Sequence, residues 1–350
     1  MPAAGSVGGP ATEPGPDRRS DRTGDTRDDT DPFSGASPET EASSVVGVIH
    51  GGPQAIRKGI ENAILVAIPT IGTLAAPFWF YRHAIGWIEI TAFLIGYAVI
   101  GFGVSIGLHR YFSHRSIRPK PWLAFALGAA GTMSMQGSLL RWVADHRRHH
   151  AATDECGDLH SPHVDSHCSA IAGWRGLLHA HMGWLWDDAV SDYAIYGRDL
   201  LRDPLVMFFH HTHWFWVAMT LVAPWVYGYA LGGVEQAWGC LLFAGCFRTF
   251  LFHHATWAVN SIGHSHGYEN FALSNNSKNN LVLALLTFGD GWHNNHHRFP
   301  RSAFHGLTRR EIDISGGLIT MLERLGWISD VIRVPTARLS TLQRFGERRP

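Results

Sequence analysis

Two long apolar runs early in the chain constrain its fold more than any other feature. Residues 60–80 and 84–108 are each long enough to cross ~30 Å of hydrocarbon as a helix. A second pair follows at 213–232 and 234–256, the latter carrying Arg248. The sequence therefore predicts an all-α integral membrane protein with four transmembrane helices in two hairpins. The alternative is that these runs are core helices of a large soluble domain.

Charged residues make up 17% of the chain, against a typical soluble share of roughly 25%, which favours the membrane interpretation. Residues 1–44 hold nine acidic residues, four Arg and almost no large apolar side chains, and this composition predicts a disordered acidic tail. The expected organisation is this tail, a membrane domain at 45–335 and a C-terminal tail at 336–350.

Basic residues predict the orientation, because cytoplasmic segments carry an excess of Lys and Arg. Arg57 and Lys58 precede the first span, and the turn at 232–236 has no Lys or Arg. The basic residues after the second span are Arg110, Arg115, Arg118, Lys120, Arg141, Arg147 and Arg148. Both termini and the polar stretches 109–208 and 257–350 are thus expected in the cytoplasm, as a helical cap. Arg outnumbers Lys by 26 to 3, which favours a bacterial cytoplasmic membrane.

The chain has four cysteines and no C-x-x-C pair. This spacing indicates neither a disulfide framework nor a thiolate metal site. Cys156, Cys168, Cys240 and Cys246 are therefore predicted to be reduced and structural.

Histidines are the residues most indicative of chemistry, since 23 are present and eight fall in three tight clusters. The clusters are His109 and His114 in HRYFSH; His146, His149 and His150 in HRRHH; and His293, His296 and His297 in HNNHH. On an α-helix the three histidines of HRRHH lie within an arc of about 100°, and the same holds for HNNHH. Each of these segments can present three imidazoles on one face.

Imidazole suits Zn, Cu, Fe and Ni. Eight histidines are too many for one tetrahedral zinc, and the H-E-x-x-H motif is absent. No Glu has a His three residues later, so the carboxylate-rich di-iron bundle is not indicated either. Two metals in an all-histidine cage are the simplest interpretation.

The three clusters, in this order and interleaved with apolar hairpins, resemble the histidine boxes of the membrane fatty acyl desaturases, which include stearoyl-CoA desaturase and bacterial Δ9 enzymes. The resemblance extends to GDLHSPH at 157–163, RGLLHAHMGW at 175–184, NSIGH at 260–264 and GDGWHNNHHRFP at 289–300. It covers about residues 57–310.

The resemblance implies ten residues around the metals: His109, His114, His146, His149, His150, His264, His293, His296 and His297 as ligands, with Asn260 linked through water. It implies that four further histidines support the ligands or the fold without binding metal themselves: His160, His163, His179 and His181. Interfacial or buried polar contacts are expected of His210, His211, His213, His253 and His254, which flank the third and fourth spans.

The resemblance also implies two iron ions, O₂ as co-substrate, and a cis double bond placed in a long acyl chain, at the Δ9 position of an acyl-CoA. Arg57, Lys58, Arg175 and Trp184 are candidate contacts to the acyl carrier or a lipid headgroup. No cysteine pattern fits an iron-sulfur centre, and no fused cytochrome b5 domain is apparent. A separate electron donor is expected: a ferredoxin, a cytochrome b5-like protein or a reductase. Membrane lipids are expected partners and nucleic acid is not.

Two other functions remain open, namely a histidine-rich membrane hydroxylase acting on a fatty acid or lipid, and a metal transporter or sensor. The acyl carrier (CoA, phospholipid or ACP), the double-bond position and the chain length are not fixed by the sequence. Gly101, Gly103 and Gly107 either make room for substrate or allow close helix packing.

Overall fold

The computed structural model describes residues 45–339. The predicted acidic tail, 1–44, and residues 340–350 of the predicted C-terminal tail lie outside the described residues. The helices are α1 (Gly52–Phe80), α2 (Trp87–Phe102), α3 (Pro121–Thr132), α4 (Leu139–Ala151), α5 (Gly173–His181), α6 (Tyr193–Tyr196), α7 (Pro204–His211), α8 (His213–Gly232), α9 (Val234–Cys240), α10 (Arg248–Ser261), α11 (Leu281–Leu286), α12 (His293–Arg298) and α13 (Ile314–Arg324). Helices therefore dominate, as predicted.

In the described part of the chain, four short strands accompany the helices. Strand β1 (Val48–His50) pairs antiparallel with β3 (Ala189–Ser191), and β2 (Arg118–Pro119) pairs antiparallel with β4 (Ile328–Ser329). The first pair fixes the chain entering α1 against the segment that follows the 3₁₀ turn Gly183–Trp186.

Within residues 45–339, three helical runs are long and apolar enough to cross a membrane: Gly52–Phe80, Trp87–Ser113 and His213–Gly232. Many of their large apolar side chains face outward, as Ile71 and Phe78 do on α1, which suits contact with lipid. Helical structure also continues from Val234 to Ser261 through α9, a π-helical stretch and α10, with Arg248 buried within it. The fourth span and the two-hairpin arrangement stay predictions.

The second apolar run ends in a π-helical stretch, Gly103–Ser113. This stretch packs closely on α3, because a Cβ atom at Gly107 would lie 2.8 Å from the carbonyl oxygen of Leu127 and one at Gly103 would overlap the backbone of Ala130. A Cβ atom at Gly101 would overlap the ring of Phe288. Of the two roles open for these glycines, the structure favours close packing.

A buried apolar cluster holds the π-helical stretch against α4. It includes Val104, Leu108 and Phe112 from the former, Leu139, Leu140 and Val143 from the latter, and Phe209 of α7. Helix α4 begins where the hydroxyl of Ser138 accepts a hydrogen bond from the backbone N–H of Arg141. This packing brings the first and second histidine boxes side by side.

The prediction that all four cysteines are reduced is wrong for one pair. Cys156 and Cys168 form a disulfide, with their Cα atoms 4.7 Å apart. Turns bring the ends of this loop together. The two cysteines lie 12 residues apart, and this spacing does not by itself predict those turns. Cys240 and Cys246 are free and buried, as predicted.

Candidate metal centre

Nine of the predicted ligands lie in two groups of imidazoles. The first group contains His109, His114, His146, His150 and His296; the second contains His149, His264, His293 and His297. Within each group, the ring nitrogens that could bind a metal all lie within 4.8 Å of one another. Each group therefore has enough donors for one metal ion.

The π-helical stretch explains how the first box contributes two donors. Five residues of α-helix would turn His114 about 140° away from His109. Here the backbone N–H of His114 donates to the carbonyl oxygen of His109 at 3.2 Å, which is the i→i+5 bond of a π-helix. Both imidazoles consequently face α4.

Helix α4 divides its three histidines between the groups, His146 and His150 going to the first and His149 to the second. Helix α12 divides its own in the same way, with His296 in the first group and His293 and His297 in the second. The ninth histidine, His264, ends a 3₁₀ turn after α10. The two groups thus interlock.

The Nε2 atoms converge in both groups. In the first, Nε2–Nε2 separations are 3.0 Å for His109 and His296, 2.7 Å for His114 and His146, and 2.8 Å for His150 and His296. In the second, they are 2.9 Å for His264 and His293, 3.0 Å for His293 and His297, and 3.3 Å for His149 and His297. Ligands ~2.1 Å from one ion in octahedral geometry lie about 3 Å apart, so this spacing fits shared ions.

Carboxylates hold the opposite ring nitrogens. Asp158 lies 2.9 and 3.0 Å from Nδ1 of His149, Asp154 lies 3.0 Å from Nδ1 of His264, and Asp290 lies 3.2 Å from Nδ1 of His109. Such contacts orient a metal-bound imidazole and make it a stronger ligand, while leaving Nε2 for the ion. This donor set fits two transition-metal ions that accept neutral nitrogen ligands.

Protonation supports the same conclusion. Burial, reinforced by the neighbouring imidazoles, holds the pKa values of five histidines outside the spans well below the usual range: His146, His150, His293, His296 and His297. They are neutral at neutral pH, the form that binds metals. Burial alone would raise the pKa of Asp158, but the electrostatic interaction with His149 and the hydrogen bond from that residue hold the pKa below the usual range, so the carboxylate is ionised.

The sequence pointed to none of these three aspartates individually, nor to His305. His305 is fully buried, and its Nδ1 lies 3.3 Å from Asp290. Its ring lies edge-on to that of His109 and tilted against that of His296, with centroids 5.1 and 4.5 Å away. Asp158 and Asp290 lie within stretches that carry the resemblance, GDLHSPH and GDGWHNNHH. Asp290 lies three residues before HNNHH and Asp154 lies four residues after HRRHH, and this proximity was the available signal.

An apolar cavity reaches the histidines. Leu65, Val66, Val104, Met135, Leu185, Trp142, Trp184, Trp257 and Val259 line it together with His109, His146, His149 and His293. Asn260 also lines this cavity. Helices α1, α4 and α10 supply much of the cavity wall, whereas the predicted second span, residues 84–108, supplies Val104.

The other candidate substrate contacts lie in different surroundings. Lys58 is buried, and its Nζ donates to the carbonyl oxygens of Ala189 at 2.8 Å and Trp184 at 3.3 Å. Arg57 lines a second, shallower pocket with Ile56, Glu61 and Trp214. Arg175 lies over the ring of Trp174 at 5.8 Å.

Residues 85–311 match the family model for the fatty acid desaturases, a stretch of more than half the chain that contains all nine histidines. The chain belongs to the fatty acid desaturase family. It is an oxidoreductase and a membrane protein. Both histidine groups lie within the matched region, whereas the cavity wall extends beyond it to Leu65 and Val66 of α1.

Several characterised desaturases and one acetylenase are similar to this desaturase over most of their length. A hex-5-enoyl-[acyl-carrier protein] acetylenase of Moorena producens is 37% identical over 278 residues, which cover 78% of this chain and 85% of the relative. An acyl-CoA 5-desaturase of Anemone leveillei is 35% identical (79% and 80% covered). An sn-1 stearoyl-lipid 9-desaturase of Anabaena variabilis is 33% identical (74% and 89% covered).

Proposed function

We propose that this desaturase uses O₂ and two iron ions to place a cis double bond at the Δ9 position of a long-chain acyl-CoA. The observation that carries the proposal is the pair of imidazole groups at the wall of an apolar cavity. The reaction removes one hydrogen from each of two adjacent methylene groups, and O₂ takes these two hydrogens, two further electrons and two protons to form two waters. Bound iron supplies the oxidising power that no side-chain acid or base provides.

The chain's residues have two tasks in this reaction. His109, His114, His146, His150 and His296 hold one iron, while His149, His264, His293 and His297 hold the other, with Asn260 linked through water. The cavity wall, including Trp142, Trp184 and Trp257, excludes water and fixes which methylene groups lie beside the metals. Such positioning is a large catalytic contribution.

The acyl carrier is the finer part of the proposal. Arg57 and Arg175 are the cations proposed to meet the phosphates of CoA, and Trp184 is proposed to contact the chain where it enters. Lys58 is proposed to act indirectly, by holding the cavity wall in place, because its ammonium group donates to the backbone carbonyl oxygen of Trp184. Relatives that act on lipid-linked and ACP-linked chains make those carriers the alternatives to test.

We propose that electrons come from a separate ferredoxin, cytochrome b5-like protein or reductase, which docks on the histidine-rich face. The distribution of basic residues supports placing this face and both termini in the cytoplasm.

Fatty acids from a host with and without the gene test the reaction. Gas chromatography with mass spectrometry of the derivatised double bond is expected to show a new cis-9 monoene. His150→Ala and His296→Ala are expected to abolish that product and lower iron content, whereas His211→Ala, an exposed histidine outside both groups, should retain both. Full turnover in either box variant would contradict the ligand assignment.

The same measurement separates the other candidates. The similarity to an acetylenase favours triple-bond formation as a second function, and its product would be an alkyne made from a supplied monoene. A hydroxy acid without a monoene would instead identify a hydroxylase. Adding the acyl chain as CoA ester, ACP ester or lipid to purified membranes would identify the carrier.

A further inference from the structure

A third set of metal-type donors lies on the surface, apart from both histidine groups. Its members are His50 at the end of β1, His167 in the loop closed by the Cys156–Cys168 disulfide, and Asp188 just before β3. Their donor atoms all lie within 4.8 Å of one another. The side chains are 37%, 63% and 46% exposed, so an ion can reach them from solvent.

The distances between these groups fit a shared ion better than direct hydrogen bonds. One carboxylate oxygen, Oδ1 of Asp188, lies 3.3 Å from Nδ1 of His50 and 3.4 Å from Nε2 of His167. Charge-assisted hydrogen bonds are shorter, ~2.7–2.9 Å. A tetrahedral ion with ligands ~2.0–2.1 Å away separates those ligands by ~3.3–3.4 Å. The two imidazole rings stack with centroids 4.9 Å apart, an arrangement in which neither donates to the other.

Backbone hydrogen bonds hold in place the three segments that carry these side chains. His50 pairs with Ala189 in the β1–β3 ladder, and the backbone N–H of Gly51 donates to the carbonyl oxygen of Asp188 at 3.1 Å. The backbone N–H of His167 donates to the carboxylate of Asp165 at 3.0 Å, and the next residue is the bridged Cys168. Donors held in place by their supports lose little freedom when they bind an ion.

We propose that His50, His167 and Asp188 bind a divalent transition-metal ion of the zinc class, with water as the fourth ligand. Two imidazoles and one carboxylate are a donor set that zinc accepts in tetrahedral geometry. This site is independent of the iron chemistry proposed above.

The ion would tie three segments to the wall of the acyl cavity. Asp188 closely follows Trp184 and Leu185, which line that cavity. Helix α1 holds the same segment, because Lys58 donates to the backbone of Trp184 and Asn62 donates to the carbonyl oxygen of Leu185 at 2.7 Å. The ion therefore joins the start of the membrane domain and the disulfide loop to this wall.

Metal counting on the iron-loaded, full-length enzyme, purified without a polyhistidine tag, tests the proposal. After incubation with zinc and removal of free ion, mass spectrometry should find about one zinc per chain in addition to the iron. His167→Ala and Asp188→Asn should lose this zinc, with an affinity at least ~10-fold weaker, and keep their iron. Zinc should raise the melting temperature of the wild type and not of these variants.

The control is His211→Ala, which removes another exposed histidine and should bind zinc as the wild type does. Three results would overturn the proposal: no zinc beyond the iron in the wild type, equal zinc in His167→Ala, or zinc gained only at the expense of iron. Because iron is counted in the same sample, failure of this site and failure of the di-iron proposal give different results.

Discussion

Replacing Asp158 with Asn isolates the contribution of one buried carboxylate to metal binding. Its Oδ1 accepts from Nδ1 of His149 at 2.9 Å and from the backbone N–H of His160 at 3.3 Å. Its Oδ2 accepts from Nδ1 of His149 at 3.0 Å and from the backbone N–H of Asp154 at 2.9 Å. Both carboxylate oxygens accept hydrogen bonds. Whichever way the Asn side chain is turned, its NH₂ group therefore faces a donor and cannot accept. The variant therefore loses both the charge and an acceptor.

A buried hydrogen bond to a charged group contributes about 1.5–3 kcal/mol. Since ~1.4 kcal/mol is a factor of ten, Asp158→Asn is expected to weaken iron binding by the second histidine group ~10- to 150-fold. Chelator competition under anaerobic conditions would show one iron released at a lower chelator concentration, and desaturation would fall in parallel. The first group should keep its iron, because Asp158 makes its hydrogen bonds to His149, His160 and Asp154, none of which belongs to that group.

Asp165→Asn is the matched control. Asp165 lies in the same loop and accepts from the backbone N–H groups of His167 and Ser169, but it does not contact the second histidine group. If Asp158→Asn retains both irons at wild-type affinity, the carboxylate does not support His149 as argued. Equal iron loss in Asp165→Asn would attribute the effect to loop folding instead.

Three further predictions concern the cavity, acidity and the disulfide. Val104→Phe, which adds a ring to the cavity wall, is expected to lower desaturation more than ~10-fold while iron content stays unchanged, because it obstructs the acyl chain and no ligand. Burial, followed by the charge of Arg110, lowers the pKa of His305 to about 4 from 6.5, so the unfolded chain takes up this proton first. Unfolding midpoints of the iron-free protein should therefore fall as the pH drops from 6.5 towards 4, and a flat profile would contradict this. The Cys156–Cys168 bridge provides a test of the proposed orientation, because disulfides are rare in the cytoplasm. Alkylation in intact cells is expected to find free thiols if this face is cytoplasmic, and a bridge present in cells would place this face outside.

The sequence was sufficient for the features that depend on local spacing. The i, i+3 and i, i+4 intervals of HRRHH and HNNHH predicted shared helix faces, and both segments are helical where their histidines lie. The length of the apolar runs likewise predicted α1, the run to Ser113 and α8. These features follow from helix geometry and bilayer thickness, which short stretches of sequence already contain.

Features that depend on distant contacts were not predictable in the same way. The π-helical stretch begins inside an apolar run and continues through HRYFS, and neither part has a periodicity that predicts the altered turn. Asp154, Asp158 and Asp290 contact histidines that lie 9 to 181 residues away in the sequence. The Cys156–Cys168 bridge depends on how its loop folds. Arg248 lies inside the fourth apolar run, and its burial is a property of the packed helices.

The interlocked histidine groups have a consequence for how the enzyme is made. Each group takes at least one donor from α4 and at least one from α12, which lies near the C-terminal end of the described chain. A ribosome must therefore complete α12 before either group has all of its donors. Each proposed ion can then be fully bound only once α12 has been made and has packed beside α4, so metal loading follows the synthesis of α1, the run Trp87–Ser113 and α8.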